Sequence, residues 1–199
     1  MQPAARSSVT GYHREVRLPR KFLIFACALS ALAAPLPVIG QAKGFLGVEL
    51  GSRFLLPECG TGGGAVTSRA CVSPDPVVRK SWGADEYRVA LPIAGTPSYV
   101  RGEIKVATLQ GMVESVQVGT WGIQSQDGVL AALTSQYGKP TRTREQKHPL
   151  SRTPARFAEW EFADFSVKLD GSTGSIDWGA IEVSTNRYRK LMVDHGGPR

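Results

Sequence analysis

The chain has 199 residues and a formal net charge of +7, a length that allows one domain and a targeting segment. Five of its 24 lysines and arginines and one of its 17 acidic residues lie in the first 42 positions. Residues 43–199 therefore have a net charge of only +3, which argues against a general nucleic-acid-binding protein.

The first 42 residues have the pattern of a secretory signal peptide. A basic leader precedes a continuous apolar run over 22–34, and prolines follow the run. The run is shorter than the ~20 apolar residues that a membrane-spanning helix needs. Small residues just before Lys43 predict cleavage there; cleavage after Ala33 and retention as an N-terminal anchor are the alternatives. The sequence therefore predicts a periplasmic or secreted protein.

Two cysteines, Cys59 and Cys71, remain after that cleavage. An even pair in an exported chain predicts a disulfide bond. Four glycines in 60–65 predict a flexible loop that this bond holds in place. A phosphate-binding loop is not favoured, because no Gly-Lys-Ser/Thr sequence follows to open a helix. Residues 52–59 are interpreted as a short helix.

Strands are predicted before the main helix at 45–50 and 86–91. A hairpin follows, with strands at 103–109 and 112–118 joined by Gln110-Gly111. Alternating valine and isoleucine residues give each strand of this hairpin one apolar face. The hairpin therefore has one side available for packing against a helix.

One helix is predicted to organise the chain, from Ser125 to Tyr137. Ser125 or Asp127 is expected to cap its N-terminus, and Gly138 and Pro140 end it. An apolar stripe at helical spacing is expected to face a sheet. The stripe consists of Val129, Leu130, Leu133 and Tyr137.

The rest of the chain returns to the two-residue period of strands. An exposed edge strand is predicted at 141–147, then a hairpin at 156–169 with a turn at Ala163-Asp164, then a strand at 176–185 with a bulge at Gly179. The predicted fold is therefore α+β: an antiparallel meander of six or seven strands, covered on one face by one main helix. It forms a single domain over 43–186, followed by a polar tail at 187–199.

Basic residues are concentrated between positions 139 and 156, where six lysines and arginines accompany one acid. This segment is a candidate docking patch for an acidic or anionic partner, and the alternative is a solvated strand edge whose charge prevents aggregation. Membrane association is expected only through this patch or the N-terminal segment. The candidate patch residues are Arg142, Arg144, Lys147, His148 and Arg152.

The four tryptophans divide into two predicted pairs. Trp160 and Trp178 share the parity of apolar strand positions and are expected in the core. Trp82 and Trp121 adjoin glycines in loops and are the candidate surface aromatics.

Catalytic and metal sites are not predicted. Histidine, cysteine and carboxylate residues do not occur at the spacing of metal ligands, and the Gly-x-Ser-x-Gly sequence of serine hydrolases is absent. No cofactor is expected. Glu159 and Glu161 lie two apart on one strand face, where paired carboxylates could cleave glycosidic bonds, but alternating charge on a solvated strand face is far commoner.

The helix end Leu133–Pro140 (LTSQYGKP) and the strand sequence Trp160-Glu161-Phe162 resemble those of two groups of small bacterial envelope proteins. These are the outer-membrane lipoproteins of the SmpA/OmlA type and the β-lactamase-inhibitor-like proteins. In both groups a helix with a Gly-x-Pro stop precedes an antiparallel meander. The chain lacks the lipidation site of the first group and the duplicated unit of the second. The resemblance therefore implies an architecture and an envelope setting, and no functional residues.

Two functional hypotheses follow. The first is an exported, non-catalytic binding protein of the bacterial cell envelope that recognises a protein partner or an anionic envelope component. The second is a secreted hydrolase of cell-wall glycan or peptide that uses Glu159, Glu161 or His148.

Overall fold

The computed structural model describes residues 43–60 and 69–196. The predicted signal peptide and most of the glycine-rich loop lie outside the described residues. The described part holds eleven strands, two α-helices and a 3-10 helix, Gly122–Gln124. In chain order the strands and α-helices are β1 (Gly44–Phe45), β2 (Val48–Glu49), β3 (Cys71–Val72), β4 (Val78–Arg79), β5 (Ala84–Ala90), β6 (Val100–Leu109), β7 (Met112–Thr120), α1 (Gln126–Tyr137), β8 (Arg142–Gln146), β9 (Ala155–Glu161), β10 (Phe165–Ser175), β11 (Trp178–Thr185) and α2 (Asn186–Asp194).

Nine of the strands form one antiparallel sheet in the order β3-β5-β6-β7-β11-β10-β9-β8, with β4 paired to β5. β1 and β2 form a separate hairpin. The fold is thus an antiparallel, sheet-rich fold with two helices, and the predicted count of six or seven strands is too low. The single strand predicted at 45–50 is instead the hairpin of β1 and β2. β3 and β4 were not predicted, because two-residue strands leave no alternation to detect.

A row of apolar side chains crosses the inner face of the sheet, the face that packs against α1. The register places these residues side by side on five neighbouring strands. Each is at most 1% exposed, which explains why α1 packs on this face. The row consists of Val106, Val116, Val183, Val167 and Trp160.

The helix α1 packs as predicted, with Val129, Leu133 and Tyr137 buried. The Tyr137 hydroxyl donates to the Gly44 carbonyl at 2.5 Å, which ties the small hairpin to the helix. Gly138 ends the helix with a φ of 82°, a left-handed value that favours glycine.

The predicted cap of α1 is wrong. Ser125 is the N-cap residue, but its side chain accepts no hydrogen bond from the helix. It follows directly on the 3-10 helix, and its hydroxyl donates instead to the Gly122 carbonyl at 3.3 Å.

Residues 52–59 do not form the predicted helix. The Phe54 N–H donates to the Gly111 carbonyl at 3.0 Å, and Arg53 bridges to Met112. The start of this segment therefore runs alongside the turn of the β6–β7 hairpin, and its end pairs with Val72 of β3. These pairings replace helical hydrogen bonds.

The predicted polar tail is wrong over its first half, because 186–194 form the helix α2. The Thr185 hydroxyl caps it by accepting from the Tyr188 N–H at 3.1 Å. Tyr188 is 3% exposed and packs with Ala84 and Ala107 on the outer face of the sheet, the face opposite α1. Charged residues dominate this segment and make it resemble a polar tail, although Tyr188, Leu191 and Met192 recur at helical spacing.

The predicted irregularity at Gly179 occurs in the pairing with β10, where the register shifts between Asp170 and Ser175, opposite Gly179, and the extra residues belong to β10. The register between β11 and β7 continues without a shift from Gly179 to Ser184. Alternation therefore places Trp178 on the outer face, where it is 46% exposed and not in the core.

Candidate functional site

Small side chains on the outer face lie side by side on four neighbouring strands. All are at most 5% exposed, and α2 packs over this part of the face through Tyr188. Because α2 covers only this end of the strands, the rest of the outer face stays open. The covered row is Ala107, Ser115, Ser184 and Ser166.

A second row, two residues further along each strand, crosses the outer face beside α2. It extends over seven strands, and every member is charged or polar. The Lys168 ammonium lies 3.7 Å from the Glu159 carboxylate. Glu182 is half-buried and has no ion-pair partner among the described residues. This charged row is Arg88, Lys105, Gln117, Glu182, Lys168, Glu159 and Arg142.

A groove of about 620 Å³ lies over the open part of the outer face. Gly119, Ala180 and Asp170 are neighbours in the register and form its floor. Gly119 lies in β7 and Ala180 in β11, the middle strands of the groove, so the floor lies below the longer charged side chains on either side. The groove follows from this difference in side-chain size.

Arg101 and Trp178 line the far end of the groove, and Trp121 lies beside it, in contact with Arg101. The Arg101 guanidinium carbon lies 3.6 Å from the centre of the Trp178 ring and 4.6 Å from that of Trp121. Its Nη1 also donates to the Asp177 carbonyl at 2.6 Å. Trp121 and Trp178 are 45% and 46% exposed. Cation–π contacts and a hydrogen bond therefore orient two accessible indoles.

Glycine allows the turn before Trp178 to lie close to the end of β7. A Cβ on Gly122, which has a φ of 57°, would stand 2.2 Å from the Ile176 carbonyl oxygen. A Cβ on Gly119 would stand 2.9 Å from the Arg101 carbonyl oxygen. Larger residues at these positions would separate the strands that position the Trp–Arg–Trp cluster.

Burial raises the pKa of the Asp170 carboxyl, and a hydrogen bond from the Ser172 N–H and the charge of Arg144 act in the opposite direction. Burial also raises the pKa of Tyr188 to about 12, with Glu86, Glu182 and Glu114 adding to the effect. Tyr188 thus stays neutral beside the charged row over the physiological pH range.

The predicted basic patch lies along the edge of the sheet at β8 and in the loop that follows. Arg142 pairs with Glu161 at 2.8 Å, and Arg144 lies 3.8 Å over the Phe157 ring. Lys147 and His148 line a separate hollow beside Phe157. The exposed side chain of Arg152 lies in the loop. Arg142 and Arg144 thus share the outer face with the groove, but the charge of Arg142 is largely neutralised.

The three residues named in the hydrolase hypothesis form ion pairs or hydrogen bonds with other residues and not with one another. The Glu159 carboxylate lies near Lys168 and Arg189, and the Glu161 carboxylate pairs with Arg142. The His148 Nδ1 accepts from the Leu150 N–H at 3.2 Å. Their contacts bring neither glutamate together with the histidine.

Trp82 lies apart from the groove. It is half-buried, contacts Tyr188 of α2 and stacks on His195 with ring centres 5.8 Å apart.

Arg101 and Trp178 belong to the site but were not predicted as site residues. No local signal marks Arg101, and the parity of Trp178 was misread across the turn.

Cys59 and Cys71 form the predicted disulfide. Over residues 43–60 and 69–196, no group of three or more histidine, cysteine, aspartate or glutamate side chains could hold a metal ion. No helix in the described part of the chain is both long and apolar enough to cross a bilayer.

Comparisons of the chain with protein-family models, curated proteins and solved structures find no match.

Proposed function

We propose that the chain is an exported, non-catalytic binding protein of the cell envelope with an α+β fold, and that it recognises an envelope component through the groove on the outer face. The observation that carries the proposal is a pair of half-exposed indoles in contact with one guanidinium, with Trp178 at the end of a groove between charged side chains and Trp121 beside it. Exposed aromatic side chains beside convergent polar groups are typical of binding sites.

The disulfide supports the export part of the proposal, because such bonds persist in oxidising compartments. The segments that carry the resemblance to small envelope proteins correspond to the end of α1 and to β9, which pack together through Trp160 and Gly138. The basic edge at β8 lies on the same face as the groove and would extend the contact with a large ligand.

Cosedimentation of the purified protein with washed bacterial envelopes tests the proposal. Ala180→Arg places a long side chain on the groove floor. Leu55→Arg is the matched control, because it adds the same charge at an 80% exposed position that does not line the groove. We expect wild type and Leu55→Arg to sediment with the envelopes and Ala180→Arg to stay in solution. Equal sedimentation of a folded Ala180→Arg protein would contradict the proposal.

A further inference from the structure

We infer that the ligand of the groove is a neutral glycan, a chain of pyranose rings that carry hydroxyl groups. This inference rests on the proposed binding function and specifies the class of ligand. Three features lead to it: the mixed sign of the charges in the groove, the exposed indoles of Trp178 in the groove and Trp121 beside it, and the width of the sheet that the groove crosses.

The groove lining holds four basic and three acidic side chains, so its charges nearly cancel. A polyanion would place its charges against acidic side chains such as Glu182 and Asp170. A hydroxyl group, by contrast, both donates and accepts hydrogen bonds. Sugar hydroxyls can therefore donate to the carboxylates and accept from the lysines and arginines of the same row.

The Glu182 carboxylate lies at the centre of the charged row, between Gln117 and Lys168. It is half-buried, and among the described residues no side chain forms an ion pair or hydrogen bond with it. A half-buried carboxylate gains from a donor that a ligand brings. Glu182 is thus a hydrogen-bond acceptor available to a ligand in the groove.

The two indoles supply the apolar part of the site. One face of a pyranose ring is covered by C–H groups, which pack well on the electron-rich face of an indole. Arg101 contacts both rings and is itself fixed by the Asp177 carbonyl. Because the indoles are already oriented, binding loses less side-chain entropy.

The lining residues come from five neighbouring strands, β5, β6, β7, β11 and β10. At ~4.8 Å between strands this is a width of about 19 Å, which suits an oligosaccharide better than a single sugar. An extended peptide has no strand edge to pair with here, because four of the five strands have neighbours on both sides and β5 pairs with β6, β3 and β4.

Titration of the purified protein with chitohexaose, cellohexaose and maltohexaose, followed by tryptophan fluorescence and calorimetry, tests the inference. We expect at least one hexasaccharide to bind, and Trp178→Ala to weaken its binding about tenfold or more. Trp82→Phe is the control, because Trp82 lies outside the groove. Binding of a neutral ligand should change less than about twofold between low and high salt, since no charge on the ligand is screened.

Three results would overturn the glycan inference: no binding of any hexasaccharide, equal binding by Trp178→Ala, or binding only of polyglutamate or phosphatidylglycerol vesicles with a steep salt dependence. If Ala180→Arg still abolishes cosedimentation with envelopes, the groove is the binding site and only the ligand class is wrong. If Ala180→Arg cosediments like wild type, the proposed function itself fails.

Discussion

At the residue scale, Trp160 ties the sheet to the main helix. It is 1% exposed, and its Nε1 donates to the Gly138 carbonyl at 2.7 Å. We expect Trp160→Ala to lower the free energy of unfolding by about 3–5 kcal/mol, because it removes a large buried aromatic side chain. Urea melts measure the effect, with truncation of an 80% exposed side chain in Leu55→Ala as the control at about 1 kcal/mol or less. A loss as small as that of the control would contradict the burial of Trp160.

The Asp170 carboxyl gives a second prediction at this scale. Burial raises its folded-state pKa above the unfolded value. The folded protein therefore binds a proton at this carboxylate more tightly than the unfolded chain does. The contribution of Asp170 to stability therefore falls as the pH rises from the unfolded pKa through the folded pKa. Asp170→Asn cannot ionise and keeps an acceptor for the Ser172 N–H.

We expect the stability of Asp170→Asn relative to wild type to be greater at about pH 7 than at about pH 3, where the wild-type carboxyl is largely protonated in both states. Urea melts of both proteins across this range provide the measurement. A relative stability that is constant, or greater in acid, would show that burial of Asp170 does not govern its titration.

At the element scale, one glycine in α1 and one directly after it give opposite predictions for the same substitution. Gly128 lies in the first turn, and a Cβ there would meet nothing within 4 Å. Gly128→Ala should stabilise the protein by about 0.5–1 kcal/mol. Gly138 has a φ of 82° and a ψ of −166°, so Gly138→Ala should destabilise it by about 1–3 kcal/mol. Calorimetric melting temperatures that shift in the same direction for both variants would refute this account of the helix.

The helix α2 depends on Thr185. Its hydroxyl accepts from the Tyr188 N–H at 3.1 Å and donates to the Glu114 carboxylate, which is 3% exposed and also pairs with Arg187. We expect Thr185→Ala to cost about 1–2 kcal/mol, because a cap and a partner of a buried carboxylate are lost together.

Thr185→Ser is the matched control for this cap, since it retains the hydroxyl. Chemical denaturation of the three proteins should place the serine variant close to wild type. If serine and alanine cost the same, the methyl group of Thr185 matters and the cap does not.

At the scale of the whole molecule, the disulfide joins Cys59 in an irregular segment to Cys71 at the start of β3. The two residues are 12 apart in the sequence. Removing the bond should lower the free energy of unfolding by about 3 kcal/mol, because it releases a closed loop in the unfolded chain.

Urea melts with and without a reductant measure this contribution. The Cys59→Ala/Cys71→Ala double variant is the control and should not respond to the reductant. Two alkylatable thiols in the protein recovered without reductant, or equal stability with and without it, would contradict a structural role for the bond.

The sequence by itself determined the parts of the fold that depend on local pattern. The stripe of α1, the β6–β7 turn at Gln110-Gly111 and the β9–β10 turn at Ala163-Asp164 lie where periodicity and turn residues place them. Alternation of apolar and polar residues within a strand predicts which side chains share a face, and the apolar face is the one that is buried. These features need no information about distant parts of the chain.

Only the tertiary structure decided the groove. Its charged row exists because the register aligns residues from strands far apart in the sequence, such as Gln117 of β7 and Glu182 of β11. A shift of one residue in any strand would turn its side chains to the other face. The many charged residues of α2 concealed in the sequence that this helix covers one end of the outer face, and the sharp turn before Trp178 concealed the parity of that residue. The core follows from local pattern, whereas the candidate site follows from long-range packing that sets the register.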